Sequence, residues 1–241
     1  MRADQYLVRH GYFDTRARAQ AAIMAGCVRV DGQIIDKPSR TIADGARVEA
    51  EPAHPYVSRA ALKLVAGLDA FAVDPSGRVC LDVGASTGGF SQVLLARGAR
   101  HVTAVDVGHG QLHPSLNDEA RLTSLEGRDA RALTLADLPE APSLIVCDAS
   151  FIGLMKVLPA VLELAAPGAH LVALFKPQFE VGRAFVGKGG VVRDGDAAAR
   201  ALDGVQAGLR ALGWSVTGRA PSPVTGSDGN QETLVHAEKS C

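Results

Sequence analysis

The stretch Leu81-Asp82-Val83-Gly84-Ala85-Ser86-Thr87-Gly88-Gly89-Phe90 restricts the possible folds more than any other part of the chain. An apolar run from Arg78 to Val83 leads into small residues, and the helical pattern Phe90-Ser91-Gln92-Val93-Leu94-Leu95 follows. Strand, glycine turn and helix start, in that order, describe the point where an open α/β sheet lets a ligand approach its backbone. Glycine supplies unusual φ values there and removes the side chain that would block the ligand. The phosphate-binding variants fit badly, because no Lys-Ser/Thr follows the glycines and the GxGxxG spacing is not met. A nucleoside-type ligand remains.

The chain continues in βα steps. Strand 79–84 and helix 89–97 are followed by Val102-Thr103-Ala104-Val105-Asp106, which reads as the second strand. Asp106, with Val107 beside it, is placed to hold ribose hydroxyls, since one carboxylate can accept two hydrogen bonds from a vicinal diol. S-adenosylmethionine is therefore the leading candidate ligand, with residues 84–90 as its cradle. Residues 121–125 form a third strand. Asp129 and Ala130 follow it, and Asp129 could accept from an adenine amino group. Ser143 to Asp148 is a buried parallel strand with Asp148 at its tip. Helix 152–165 leads to an apolar strand ending at Lys176, a charge where α/β sites collect. Phe179 to Gly195 is glycine- and charge-rich and reads as a mobile substrate-side loop. Helix 195–212, strand 214–220, a Pro/Ser/Gly loop and a last strand opened by Glu232 complete the chain, with no internal repeat.

The first 50 residues form a separate small unit. A helical pattern surrounds Leu7, and a second runs from Arg16 to Met24, with Asp14 or Thr15 as N-cap and Gly26 as terminator. Asp31-Gly32 between alternating apolar residues marks a hairpin, and a further strand ends near Arg47-Val48-Glu49. Two prolines make residues 51–57 an extended linker. Ser58 then reads as the N-cap of a helix that puts Arg59 and Lys63 on one face.

Charge is uneven along the 241 residues. Residues 1–65 hold ten Lys/Arg against seven Asp/Glu, while the rest carries a net −4. A basic appendage on a mildly acidic body points to a polyanionic partner. Cys27, Cys80, Cys147 and Cys241 are scattered without metal-ligand spacing, so free thiols and no metal centre are expected. No signal-peptide core is visible at the N-terminus. The longest apolar region, 143–175, is interrupted by charges and prolines, so a cytoplasmic protein without membrane contact is expected.

The N-terminal pattern resembles the S4 RNA-binding domain. Its carriers are Arg2-Ala3-Asp4-Gln5-Tyr6-Leu7, Thr15-Arg16 with Ala19-Gln20, and Ala25-Gly26-Cys27-Val28-Arg29-Val30-Asp31-Gly32. The resemblance implies that Arg2, Arg16, Arg18, Arg29 and Lys37 face RNA, and Arg59 is a further candidate RNA-binding residue. The rest of the chain resembles a Rossmann-like, seven-stranded α/β methyltransferase fold. Within it Lys63, Asp148, Lys176 and Glu232 look like the catalytic Lys-Asp-Lys-Glu tetrad of FtsJ-like RNA ribose 2′-O-methyltransferases.

Together the two parts resemble the TlyA family, whose members are often labelled haemolysins and are similar to ribosomal RNA cytidine 2′-O-methyltransferases. The resemblance implies an S4-like RNA-binding domain over 1–50, a linker over 51–57 and a methyltransferase domain over 58–241. It also implies S-adenosylmethionine as donor, ribosomal RNA or ribosomal subunits as partner, and a monomer as the working form.

Four rival readings are weaker. Base N-methylation commonly uses (Asp/Asn)-Pro-Pro-(Tyr/Phe), and Asp148-Ala149-Ser150-Phe151 lacks both prolines. Cytosine C5-methylation needs a nucleophilic cysteine, and Cys147 sits inside an apolar strand. A membrane-lytic protein lacks support from any amphipathic membrane helix or spanning segment, and an RNA-binding module without catalysis leaves the glycine turn, Asp106 and the tetrad unexplained.

Overall fold

The structure, a computed structural model, describes residues 1–226 and 228–240 and so leaves Cys241 outside the described residues. Two compact units emerge, Met1–Pro55 and Tyr56–Cys241. In the first, helices α1 (Ala3–Arg9) and α2 (Arg16–Met24) pack on strands β1 (Val28–Val30), β2 (Gln33–Ile34) and β3 (Val48–Ala50), ordered β2-β1-β3. Thr15 caps α2 by accepting from the Arg18 N–H, and Gly26 ends it at φ +72°. Asp31 and Gly32 both take positive φ in the hairpin turn, as a tight primed turn requires. Leu7, Ile23, Val28, Ile35 and Ile42 form this unit's own core.

The second unit carries α3 (Ala60–Ala70), β4 (Val79–Val83), α4 (Gly89–Ala96), β5 (His101–Asp106), β6 (Leu122–Glu126), β7 (Leu144–Cys147), α5 (Leu154–Glu163), β8 (His170–Phe175), α6 (Pro177–Glu180), α7 (Gly195–Ala211), β9 (Trp214–Pro221) and β10 (Thr233–Lys239). The sheet order is β6-β5-β4-β7-β8-β10-β9. Five strands are parallel, and β10 inserts antiparallel between β8 and β9. This is the expected seven-stranded fold. Strands β4 and β7 are buried along their whole length because helices cover both faces of the sheet, and Asp82 is the one charged residue in β4. One core, under α5 and α7, includes Leu158, Ile145 and Trp214; the other, under α3 and α4, includes Leu64, Leu94 and Val172.

One local expectation is corrected. Helix α3 begins at Ala60 with Arg59 at the cap position and no side-chain cap, so Ser58 does not serve as its N-cap. A Cβ on Gly89 would lie 2.2 Å from the Ser58 hydroxyl, so Ser58 instead packs where the starts of α3 and α4 meet. The stretch 179–195 carries the end of α6, short 3-10 turns at Arg183–Phe185 and Lys188–Gly190, and a bridge between Val186 and Val192.

Trp214 is 2% exposed at the start of β9, among the α7-side core residues. Trp214→Ala should cost the larger unit about 3–5 kcal/mol, read from the urea midpoint followed by far-UV circular dichroism. A loss below about 1 kcal/mol would mean that the cavity collapses or that this indole does not anchor the core.

Candidate active site

The sheet order reverses between β4 and β7, and that switch point opens a crevice beyond the strand C-termini. The turn after β4 and the tip of β7 meet there. Gly84 takes φ +79°, and a Cβ on it would lie 3.0 Å from the Ala149 backbone, so only glycine lets the two loops approach this closely. Gly88 at φ +85° then turns the chain into α4. A cavity of about 210 Å³ lies against this turn, lined by Gly84, Ser86, Gly89, Phe90, Asp148 and Lys176 among others. Its glycine wall leaves room for a ligand, and the Asp148 carboxylate suits the positive charge of a sulfonium donor. The residues present fit S-adenosylmethionine.

Asp106 braces the same turn. Its two oxygens accept from the Ser86 N–H at 2.8 Å and the Gly108 N–H at 2.7 Å. Each oxygen keeps a second lone pair, which is what binding a ribose diol requires. Val107 beside it is exposed and Ala130 is buried. Asp129 has a different occupation: Arg131 donates to both of its oxygens, and this guanidinium holds the carboxyl down at about 2. Asp106, Val107, Asp129 and Ala130 lie outside the lining of the 210 Å³ cavity.

The four charged residues singled out in the sequence converge at one end of the sheet. Lys176, at the end of β8, lies 2.6 Å from Asp148 Oδ1 and also donates to the Asp148 carbonyl at 3.1 Å and the Ser150 hydroxyl at 2.7 Å. Lys63 donates to Glu232 Oε2 at 2.5 Å. Register explains the second pair: Thr233 on β10 pairs with Phe175 on β8, so Glu232 comes beside Lys176. Helix α3 crosses above with Gly67 against Leu234 and Val172, and so carries Lys63 to Glu232. A larger cavity of about 590 Å³ is lined by Arg59, Lys63, Phe151, Phe179, Lys176 and Glu232 among others. Lys176 and Ser150 line both cavities and form their junction.

Sequence reasoning missed four residues here. Ser150 holds Lys176, and its place two residues past Asp148 was the available signal. Phe151 is 92% exposed, takes φ +66° and tilts against Phe179 with centroids 5.3 Å apart. A bulky residue in that backbone region is strained, and the exposed ring offers a stacking edge. Glu126 accepts three backbone N–H bonds from residues 110–112 and so orders the loop after β5, which lowers its pKa. Asp82 was visible as a lone polar residue within an apolar strand.

The cations of the N-terminal unit are partly committed. Arg2 and Arg16 both donate to the buried Asp4, at 3.1 and 2.8 Å, and Gln20 joins them at 2.8 Å. The Arg2 guanidinium chiefly holds the Asp4 carboxyl well below the usual range. Both arginines remain about half exposed, so Asp4 fixes their direction without hiding them. Arg18 pairs with Asp14, and Arg29 donates to the Gly32 carbonyl at 3.4 Å. Arg29, Lys37 and Arg59 are exposed.

The comparisons with known proteins agree with this geometry. Residues 56–239 match the FtsJ-like methyltransferase family and residues 1–48 match the S4 domain. The 16S/23S rRNA (cytidine-2′-O)-methyltransferase TlyA of Mycobacterium tuberculosis is 46% identical over 97% of this chain and 88% of its own. A solved structure of a protein named as a hemolysin from Streptococcus thermophilus superposes with a TM-score of 0.79 at 39% identity, covering all of this chain and 88% of its own. An S-adenosylmethionine dependent methyltransferase from Mesorhizobium loti shares the fold at 16% identity and a TM-score of 0.55, over 74% of this chain and 98% of its own.

Burial raises the Asp82 carboxyl to about 7, with the Ser91 hydroxyl donating to it at 2.7 Å. The folded chain therefore keeps this proton where the unfolded chain has lost it. Stability from Asp82 is full below the ordinary carboxylate pKa and falls as pH rises towards about 7. Asp82→Asn should flatten that fall in urea midpoints measured from about pH 4 to about pH 8, and an unchanged slope would contradict a protonated Asp82.

Proposed function

The chain belongs to the TlyA family of FtsJ-like, S-adenosylmethionine-dependent ribosomal RNA 2′-O-methyltransferases, and on that premise we propose how its residues divide the work. The product is a cytidine methylated at its ribose 2′-oxygen. The observation that carries the assignment is the junction at Lys176, where the donor cavity and the larger substrate cavity meet.

S-adenosylmethionine supplies a methyl group already made electrophilic by its sulfonium. The task left to the protein is the ribose hydroxyl, a weak nucleophile that must be aligned and relieved of its proton. Residues 84–90, with Asp106 and Val107, would hold the donor, and Asp129 and Ala130 would serve its base. Lys176 meets the 2′-oxygen by exchanging its bond to Ser150 for one to the substrate. As the oxygen attacks, its proton passes to Nζ while an Nζ proton moves to Asp148, 2.6 Å away. The Lys63–Glu232 pair keeps the opposite wall neutral overall and presents polar atoms to the ribose. The exposed Phe151 ring gives the nucleobase a face to stack on.

The N-terminal unit supplies docking. Arg2, Arg16, Arg18, Arg29 and Lys37 contact RNA phosphates, which position the substrate without reading its sequence. Arg59, exposed and lining the larger cavity, adds an RNA-binding cation on the methyltransferase unit itself. Because all four tetrad residues come from one chain, a monomer suffices. Among the described residues no helix is long and apolar enough to cross a membrane. With ribosomal RNA as substrate and buried free thiols at Cys80 and Cys147, the working compartment is the cytoplasm.

Lys176→Ala should lower methyl transfer at least about a hundredfold while calorimetric donor affinity stays within about threefold. Nucleoside mass analysis of treated ribosomal RNA reads the product. A methylated base, or transfer surviving in the variant, would overturn the assignment. For docking, the Arg29→Ala/Lys37→Ala protein should bind RNA more weakly, with the slope of log affinity against log salt shallower by roughly one per cation removed. An unchanged slope would remove these two residues from the interface.

A further inference from the structure

At the end of β8 and β10 away from the tetrad, three ligand-type side chains converge. His170 opens β8, and His236 and Glu238 stand two apart on β10, so strand alternation puts both on one face. Register pairs Glu238 with His170. His170 Nδ1 lies 3.1 Å from His236 Nε2 and 3.9 Å from Glu238 Oε1, and the three ligand atoms all fall within 4.8 Å of one another. On the other side of the His236 ring, Nδ1 is 2.7 Å from the Thr217 hydroxyl. Thr217 is aimed there by a register shift between β9 and β10, in which Gly218 pairs with His236 but Val216 with Ala237. Phe71 stacks on the same ring at 5.3 Å.

We propose that His170, His236 and Glu238 form a binding site for a divalent transition-metal ion, Zn²⁺ by its donor set, joining β8 to β10. Tetrahedral Zn²⁺ with nitrogens at about 2.0–2.1 Å places neighbouring ligand atoms roughly 3.3 Å apart, close to the spacing of the two imidazoles. The carboxylate, 3.9 Å from His170 Nδ1, has to close on both imidazoles to reach the same geometry, and Glu238 is half exposed and free to do so. Thr217 supplies the outer partner that metal-bound histidines usually have. When His236 Nδ1–H donates to Thr217, Nε2 keeps its lone pair for the ion.

A histidine–histidine hydrogen bond uses that lone pair too, but it does not account for Glu238. At 3.9 Å the carboxylate is too far from the His170 nitrogen for a hydrogen bond, yet its strand position aims it at the same point. A cation satisfies all three donors together. A cavity of about 380 Å³ lies beside the cluster and is lined by Phe71, Thr217, His236 and Glu238, but not by His170. Six residues of strand separate His170 from Lys176, about 20 Å at the usual rise, so the ion acts on strand pairing and takes no part in methyl transfer.

The test uses the full chain, stripped with EDTA, dialysed and titrated with Zn²⁺ against a chromophoric chelator. Expected are one equivalent bound more tightly than about 1 μM and a higher thermal midpoint with Zn²⁺ present. Because His236 is buried and its loss could unfold the chain, the variants are His170→Ala and Glu238→Gln, both partly exposed. Each should weaken Zn²⁺ at least about tenfold while methyl transfer to ribosomal RNA is retained. No stoichiometric binding would overturn the proposal. So would equal binding by both variants, which would trace the ion to other histidines or cysteines.

Discussion

Burial of four charges at one edge of the sheet is the constraint on which the rest of the catalytic unit depends. Lys63, Lys176 and Glu232 are each less than 10% exposed, and Asp148 is little more open. An unpaired charge in such a place costs several kcal/mol, so the site exists only if the fold delivers the four residues as two close pairs. Each member comes from a different part of the chain: a helix before the sheet, a parallel strand tip, the end of the next strand, and the start of an antiparallel one. The fold is in this sense a device for bringing opposite charges together in a dry place and leaving one lysine at the seam between two cavities.

The sheet topology does this with little local specialisation. Reversal of strand order between β4 and β7 makes the donor crevice, and the positive φ of Gly84 lets the two neighbouring loops touch. Insertion of β10 between β8 and β9 brings Glu232 beside Lys176 through a plain register relation. The same strand pair carries His170, His236 and Glu238 at its far end. One β8–β10 ladder thus sets Glu232 beside Lys176 at one edge and gathers His170, His236 and Glu238 at the other.

The N-terminal unit follows a parallel logic on a smaller scale. Asp4, fully buried, collects Arg2, Arg16 and Gln20 and so holds two cations in fixed directions while leaving both half exposed. A guanidinium oriented in advance loses less freedom on meeting a phosphate than one free in solution. The acid that neutralises these arginines is also the group that orients them.

Much of this was legible in the sequence. The glycine turn, Asp106 at the second strand tip, the hairpin at Asp31-Gly32 and the Thr15 cap all follow from local rules, because turn residues and strand periodicity act over a few positions. The tetrad residues were legible by type and by their places at element ends. What local pattern could not give was pairing. Lys63 joins Glu232 across 169 positions, Ser150 rather than solvent holds Lys176, and Arg131 occupies Asp129. Ser58, a good cap by residue type, instead packs at Gly89, because the contact between two helix starts outweighs a single capping bond. The sequence by itself determined which elements form and where charged residues stop them. Only the tertiary structure decided which charges share a partner, because pairing depends on strand register and helix crossing.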